Sequence, residues 1–253
     1  MRTMSLILLG TMLLPLSVPV AANELRFASG DKQVGVLELY TSQGCSSCPP
    51  ADKWLSSLKS DPTLWQDFVP LAFHVDYWDY IGWKDRFAQA AFTKRQRRYA
   101  REARMRTIYT PGFFYNGAEW RGWFVRRYFD FPDPALVGPL TAQLNDDHLD
   151  VEFTPSTAHA DDIEVSVAVL GFDFETPVDA GENHGRELSH DFVVLGVRKR
   201  ILDRDGTRFS GELRLPTLSQ NAPRTGLAIW VNRLGHQRPL QATGGWLPVV
   251  NQN

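Results

Sequence analysis

The sequence predicts an α/β domain followed by a smaller, mainly antiparallel β domain with sandwich-like layers. Three observations carry that expectation. Two apolar runs, Val34–Thr41 and Phe68–Asp76, flank a helix-length segment, the pattern of a parallel βαβ unit. Asn116-Gly117 follows an aromatic run and marks a hairpin. From about Asp147 the chain changes to strand-like alternation broken by turns such as Asp205-Gly206.

The first residues read as an export signal. Arg2 supplies the positive start, Leu6 to Leu16 the apolar stretch and Val20-Ala21-Ala22 the small-residue cleavage site. Removal of a signal peptide at 1–22 implies an exported protein, periplasmic or secreted, with no stable membrane insertion afterwards. Disulfides persist in such compartments. About 230 residues then remain, enough for two modest domains at 29–145 and 147–253. A formal net charge of −2 implies no acidic or basic partner for the chain as a whole. Two cysteines are too few for a disulfide scaffold, so both halves must bury apolar cores.

Both cysteines fall in Cys45-Ser46-Ser47-Cys48, where the first strand passes into a helix. Pro49 and Pro50 suit only a first helical turn, which Ala51 to Lys59 continues. Unpaired N–H groups at a helix start stabilise a thiolate, which makes the pair a redox candidate. In that reading Cys45, nearer the exposed helix end, attacks and Cys48 resolves the mixed disulfide. The partners are protein thiols or disulfides and a further redox partner, and no cofactor beyond the Cys45–Cys48 pair is needed. Two other readings stand beside it. The bond is permanent in a non-catalytic binding module, or Cys45, Cys48 and His74 hold Cu(I) in a copper-handling protein. His74 is equally explained as a buried residue bonded to Asp76, Tyr77 or Trp78. His148, His159, His184, His190 and His236 show no ligand-like pairing.

Tyr77-Trp78-Asp79-Tyr80-Ile81-Gly82-Trp83 leaves the C-terminal end of the second strand, the edge where ligands bind in parallel sheets. Tyr77 and Trp78 are therefore candidate substrate contacts, or else an aromatic lid. Lys84 to about Arg106 has helical periodicity, with Arg95 and Gln96 interrupting its apolar face. Its basic residues read as a solvated face, since nucleic-acid motifs are absent. Thr110-Pro111 then enters the hairpin. The order strand, dithiol, helix, strand, helix, Thr-Pro, hairpin is the thioredoxin plan, in which a cis-proline loop faces the dithiol. It makes Thr110 and Pro111 candidate holders of a substrate strand. Glu38 is a candidate proton acceptor for the thiols, although the register counted back from Cys45 falls on Leu39. A bulge at Ser42-Gln43-Gly44 would be needed to turn Glu38 to the dithiol face.

In the second half Leu140–Leu144 suggests a short closing helix. Strands are expected at 149–153, 163–172, 190–201, 208–215 and 226–231, with an edge near Trp246. The polar loop Gly181-Glu182-Asn183-His184-Gly185-Arg186 either reaches a partner or the dithiol, or ties down a hairpin. No nucleophile motif or second dithiol accompanies it.

The run Glu38 to Asp52, with Phe73 to Asp79, Arg95-Gln96 and Tyr99, Tyr109-Thr110-Pro111 and Gly181 to Arg186, resembles the domain-of-unknown-function 1223 family. The matches span nearly the whole mature chain. The resemblance implies a secreted bacterial protein with a thioredoxin-like domain and a β-rich one. It implies no substrate, because the family is functionally undefined. Gly112 departs from the glutamine common in the family at that position.

Overall fold

The structure, a computed structural model, describes residues 24–123, 132–158 and 160–248. The expected signal peptide at 1–22 and His159 lie outside them. The strands are β1 (Leu25–Ala28), β2 (Gly35–Thr41), β3 (Phe68–His74), β4 (Gly112–Tyr115), β5 (Ala118–Glu119), β6 (Leu140–Asn145), β7 (His148–Phe153) and β8 (Ile163–Phe172). They continue with β9 (Phe174–Pro177), β10 (Glu187–His190), β11 (Val193–Ile201), β12 (Asp203–Asp205), β13 (Arg208–Arg214), β14 (Arg224–Arg233) and β15 (Pro239–Trp246). Two α-helices, α1 (Pro49–Ser57) and α2 (Ala90–Glu102), interrupt them.

This corrects the predicted fold class. With 44% strand, 13% helix, two helices and three sheets, the protein is mostly β and does not fit an α/β thioredoxin-like fold. The physical reason lies in pairings that no local pattern reveals. β2 and β3 are parallel and β4 joins antiparallel, but β11 lies beside β3, with Ala72 N–H donating to Phe192 O at 2.9 Å. One eight-stranded sheet therefore runs β15-β14-β8-β11-β3-β2-β4-β5 through both halves of the chain. A five-stranded sheet, β1-β6-β7-β13-β12, covers the antiparallel half of that sheet, and β9 and β10 form a separate hairpin.

Two cores follow. Alternate residues of β6, β7 and β13 meet those of β8 and β14, including Leu140, Val151, Phe209, Val167 and Ile229. The larger core gathers β2, β3, both helices and the other face of β8 and β14, through Leu39, Phe73, Leu55, Phe92 and Trp230. Leu140–Leu144 is strand β6 rather than a helix. Leu140, Ala142 and Leu144 are buried while Thr141 and Gln143 are not, a period of two. No helix of the described residues is long and apolar enough to cross a membrane.

Candidate functional site

β2 delivers the chain to the start of α1, and there Cys45 and Cys48 are joined as a disulfide with Cα atoms 5.4 Å apart. Cys48 caps α1, and Pro49 and Pro50 occupy its first turn. Ser46 and Ser47 are exposed, yet both cysteines are 0% exposed. The expectation that Cys45 lies open at the helix end is therefore corrected. Three neighbours hold the loop that carries it, while its own sulfur lies 3.3 Å from Ser47 Oγ. Gly44 sits against Trp78, where an added Cβ would come within 3.0 Å of the Trp78 Cβ. Asn183 Nδ2 donates to Gln43 O at 2.8 Å and to Cys45 O at 3.0 Å. Ser46 N–H donates to Glu182 Oε2 at 3.1 Å. The loop Gly181–Arg186 thus does both things considered for it: it connects β9 and β10, and it reaches the dithiol.

The Thr110–Pro111 peptide bond is cis. Trp78 Nε1 donates to Thr110 Oγ1 at 2.7 Å and its Cβ packs on Gly44, so one residue links the proline loop to the position before Cys45. Tyr77 donates to Gln96 Oε1, and Gln96 Nε2 donates to Tyr109 O. Gln96 is thereby a brace for this edge. The close approach of Tyr109 O, 2.9 Å from an added Cβ, accounts for glycine at position 112. Thr110, Tyr77 and Trp78 are connected to one another and, through Trp78, to the disulfide loop.

Glu38 is elsewhere. With Tyr40 it points to the α2 face of the sheet, where Arg95 grips both its oxygens at 2.8 Å and Tyr40 and Tyr99 donate to it. Arg95 also donates to Gln237 Oε1 and covers the Phe73 ring. β2 pairs with β3 without a register shift from Gly35 to Thr41, so Glu38 keeps the α2 face.

The acid that shares the dithiol face is Asp52, which composition and motif reading passed over. It lies four residues beyond Cys48 on the same helix, and its N–H donates to Cys48 O at 3.1 Å, so the two side chains share one flank. That Cys-x-x-x-Asp spacing was the available signal. Asp52 Oδ2 is buried against the Thr41 hydroxyl, the one side-chain hydrogen-bonding neighbour of its carboxyl, and no lysine or arginine among the described residues pairs with it. Burial pushes the Asp52 carboxyl up to about 7, against the pull of the nearby His74.

His74, at the end of β3, faces the same side. Its Nδ1 lies 2.7 Å from Asp85 Oδ2, and Asp85 also accepts from the N–H groups of Gln43 and Phe87. Burial disfavours a charged His74, but Asp85 outweighs it and raises the imidazole pKa. His190 stacks edge-on to His74 at 4.9 Å, and burial drives its pKa down to about 3, so it is neutral. His74 Nε2 and both His190 nitrogens have no hydrogen-bond partner. Among the described residues no three His, Cys, Asp or Glu side chains are arranged to hold a metal.

Comparisons with known proteins bear on the family and the fold. The sequence profile described as "Protein of unknown function (DUF1223)" matches residues 36–232. No curated protein matches the chain. Among solved structures, an Agrobacterium tumefaciens protein is similar at a TM-score of 0.57 and 24% identity, over 87% of this chain and 97% of that one. HBP35 of Porphyromonas gingivalis is similar at 0.58 and 13% identity, over 87% of this chain and 76% of that one. At those identities the likeness is one of fold alone. With its matched segment reaching from β2 to β14, the chain belongs to the DUF1223 family.

Proposed function

We propose that the Cys45–Cys48 pair exchanges disulfides with protein thiols in an oxidising, extracytoplasmic compartment. The observation that carries this reading is Asp52. A bond that merely tied strand to helix would gain nothing from a buried carboxyl one turn along the helix that no lysine or arginine among the described residues compensates. A thiol leaving as thiolate gains a proton donor tuned near neutrality. The small loop closed by the bond also constrains the unfolded chain little, which weakens a purely stabilising role.

The chemistry runs as follows. A partner thiolate attacks Cys45 Sγ, the Cys45–Cys48 bond breaks, and Cys48 departs as a thiolate that takes its proton from Asp52. The partner's second thiol loses its proton to water and attacks the mixed disulfide, freeing Cys45. The partner dithiol is oxidised by two electrons and the protein's disulfide is reduced. The reverse sequence reduces a partner disulfide. In this proposal the substrate strand lies along Thr110 and cis-Pro111, beside Tyr77 and Trp78. Both sulfurs are enclosed in the disulfide form, so exchange starts from an opened state.

The same enclosure favours a second reading, a permanent disulfide in a binding module. The test is thiol trapping. Cys48→Ser should accumulate mixed disulfides through Cys45, and Cys45→Ser should abolish turnover of a protein disulfide. Equal, small effects of both changes, with a potential below about −300 mV, would establish the permanent bond instead.

A further inference from the structure

We propose that the Gly181–Arg186 loop is a latch over the disulfide, and that its Glu182 carboxylate stands in for an acidic residue beside the cysteine of the redox partner. This rests on the exchange reading above. Three observations meet at the latch. Asn183, 1% exposed, holds the carbonyls on either side of Gly44, and its Oδ1 accepts from Arg186 Nη1 at 3.0 Å. That makes it the fastening element. Glu182, by contrast, is exposed, and it meets the site at Ser46, inside the dithiol loop itself, through that residue's N–H and side chain. The hydrogen bonding from Ser46 holds the carboxyl below its usual range. An exposed carboxylate on an exposed N–H is weakly held and readily exchanged for another.

Beside it lies a groove of about 620 Å³ lined by Ser46, Pro49, Pro50, Lys53, Trp54 and Arg186. Two prolines and an indole give it an apolar floor. Lys53 and Arg186 give it two cations and no lining carboxylate. Lys53 makes no ion pair among the described residues, and the chain as a whole carries −2, so this is a local feature. When Glu182 and Asn183 let go, Ser46 N–H and Lys53 face the same space as Cys45, and Arg186 stays at the foot of the loop, where its carbonyl accepts from Val178 N–H at 2.9 Å. Their charge selects an extended, acidic segment that approaches sulfur first.

The loop is built to move as a unit. Gly181 and Gly185 have φ of +74° and +78°, and His184 N–H to Gly181 O and Gly185 N–H to Val178 O fix its internal shape. Its fastenings to the dithiol loop are the side chains of Glu182 and Asn183.

The experiment uses the oxidised protein and two sets of thiols. Uncharged dithiothreitol should reduce Cys45–Cys48 roughly tenfold faster in Asn183→Ala than in wild type, the size of one buried polar anchor. Glu182→Gln, a change on an exposed side chain that folding tolerates, should give a smaller acceleration in the same direction. Cysteine peptides differing only in Glu, Gln or Lys beside the cysteine should react in that order at low salt. Lys53→Glu with Arg186→Glu should reverse the order. Unchanged dithiothreitol rates in both latch variants would overturn the latch, and an order indifferent to charge reversal would overturn the acidic partner. Either result with protein disulfides still turned over leaves the exchange reading standing. If no peptide ever forms a mixed disulfide, it is the exchange reading that fails.

Discussion

Glu38 and Asp52 are both buried carboxyls within the same short stretch of chain, one on each side of β2, and they are treated in opposite ways. On the α2 side Glu38 receives a two-pronged Arg95, Tyr40 and Tyr99, so its oxygens are fully engaged and its charge is compensated. On the α1 side Asp52 is buried with only the Thr41 hydroxyl beside its carboxyl and no lysine or arginine to compensate it among the described residues, close to an imidazole pair that is itself incompletely bonded. A satisfied buried ion pair fixes a packing arrangement. An uncompensated buried acid costs stability and persists where its proton is used. In the exchange reading proposed above, one face of β2 serves structure and the other serves the chemistry.

The largest effect should come from the satisfied face. Arg95→Met leaves Glu38 charged, buried and without its cation, and should cost about 3–5 kcal/mol in urea unfolding. A loss below about 1 kcal/mol would mean that Glu38 is not held as a charge and that the contrast between the faces is false.

Asp52→Asn should act in the other direction and depend on pH. The native carboxyl titrates near 7, whereas the unfolded one titrates near its ordinary value of 3.8. Between those values the native state binds more protons, so stability falls as pH rises, and the full cost is present above about pH 7. The oxidised variant should therefore be more stable than wild type by about 2–4 kcal/mol at pH 8, and the gain should vanish below about pH 4. Equal stabilities at pH 8 would show that Asp52 carries no unpaid proton.

Asn183→Ala removes a donor shared by two buried carbonyls and should lower stability by about 1–3 kcal/mol, read by thermal unfolding of the oxidised protein. Lys53→Gln sharpens the comparison from the surface. Lacking any ion pair with a described residue, Lys53 should change stability by less than about 0.5 kcal/mol.

These contrasts also mark what the sequence could and could not disclose. β7, β8, β13 and β14 were legible because their alternation is local, and the Thr110–Pro111 turn into the Asn116-Gly117 hairpin was legible from residue types. The pairing of β11 with β3 was not, because Val193 and Ala72 are brought together by the fold rather than by any nearby pattern. That single junction joins strands from the two expected halves of the chain into one sheet. Leu140–Leu144 was misread because five apolar-rich residues fit either period until their burial is known. Glu38 drew attention by lying in the first strand, while Asp52 hid among ordinary polar residues of a helix. Its spacing from Cys48 and its place at the end of the Glu38–Asp52 run distinguished it.

The most direct measurement is the rate at which the Cys45–Cys48 disulfide oxidises a dithiol peptide between pH 5 and 9, corrected for the peptide's own thiolate fraction. Wild type should lose rate through an inflection near pH 7 as Asp52 gives up its proton, and Asp52→Asn should be slower below that point and show no inflection. Identical profiles for the two proteins would contradict the assignment of Asp52 as the proton donor.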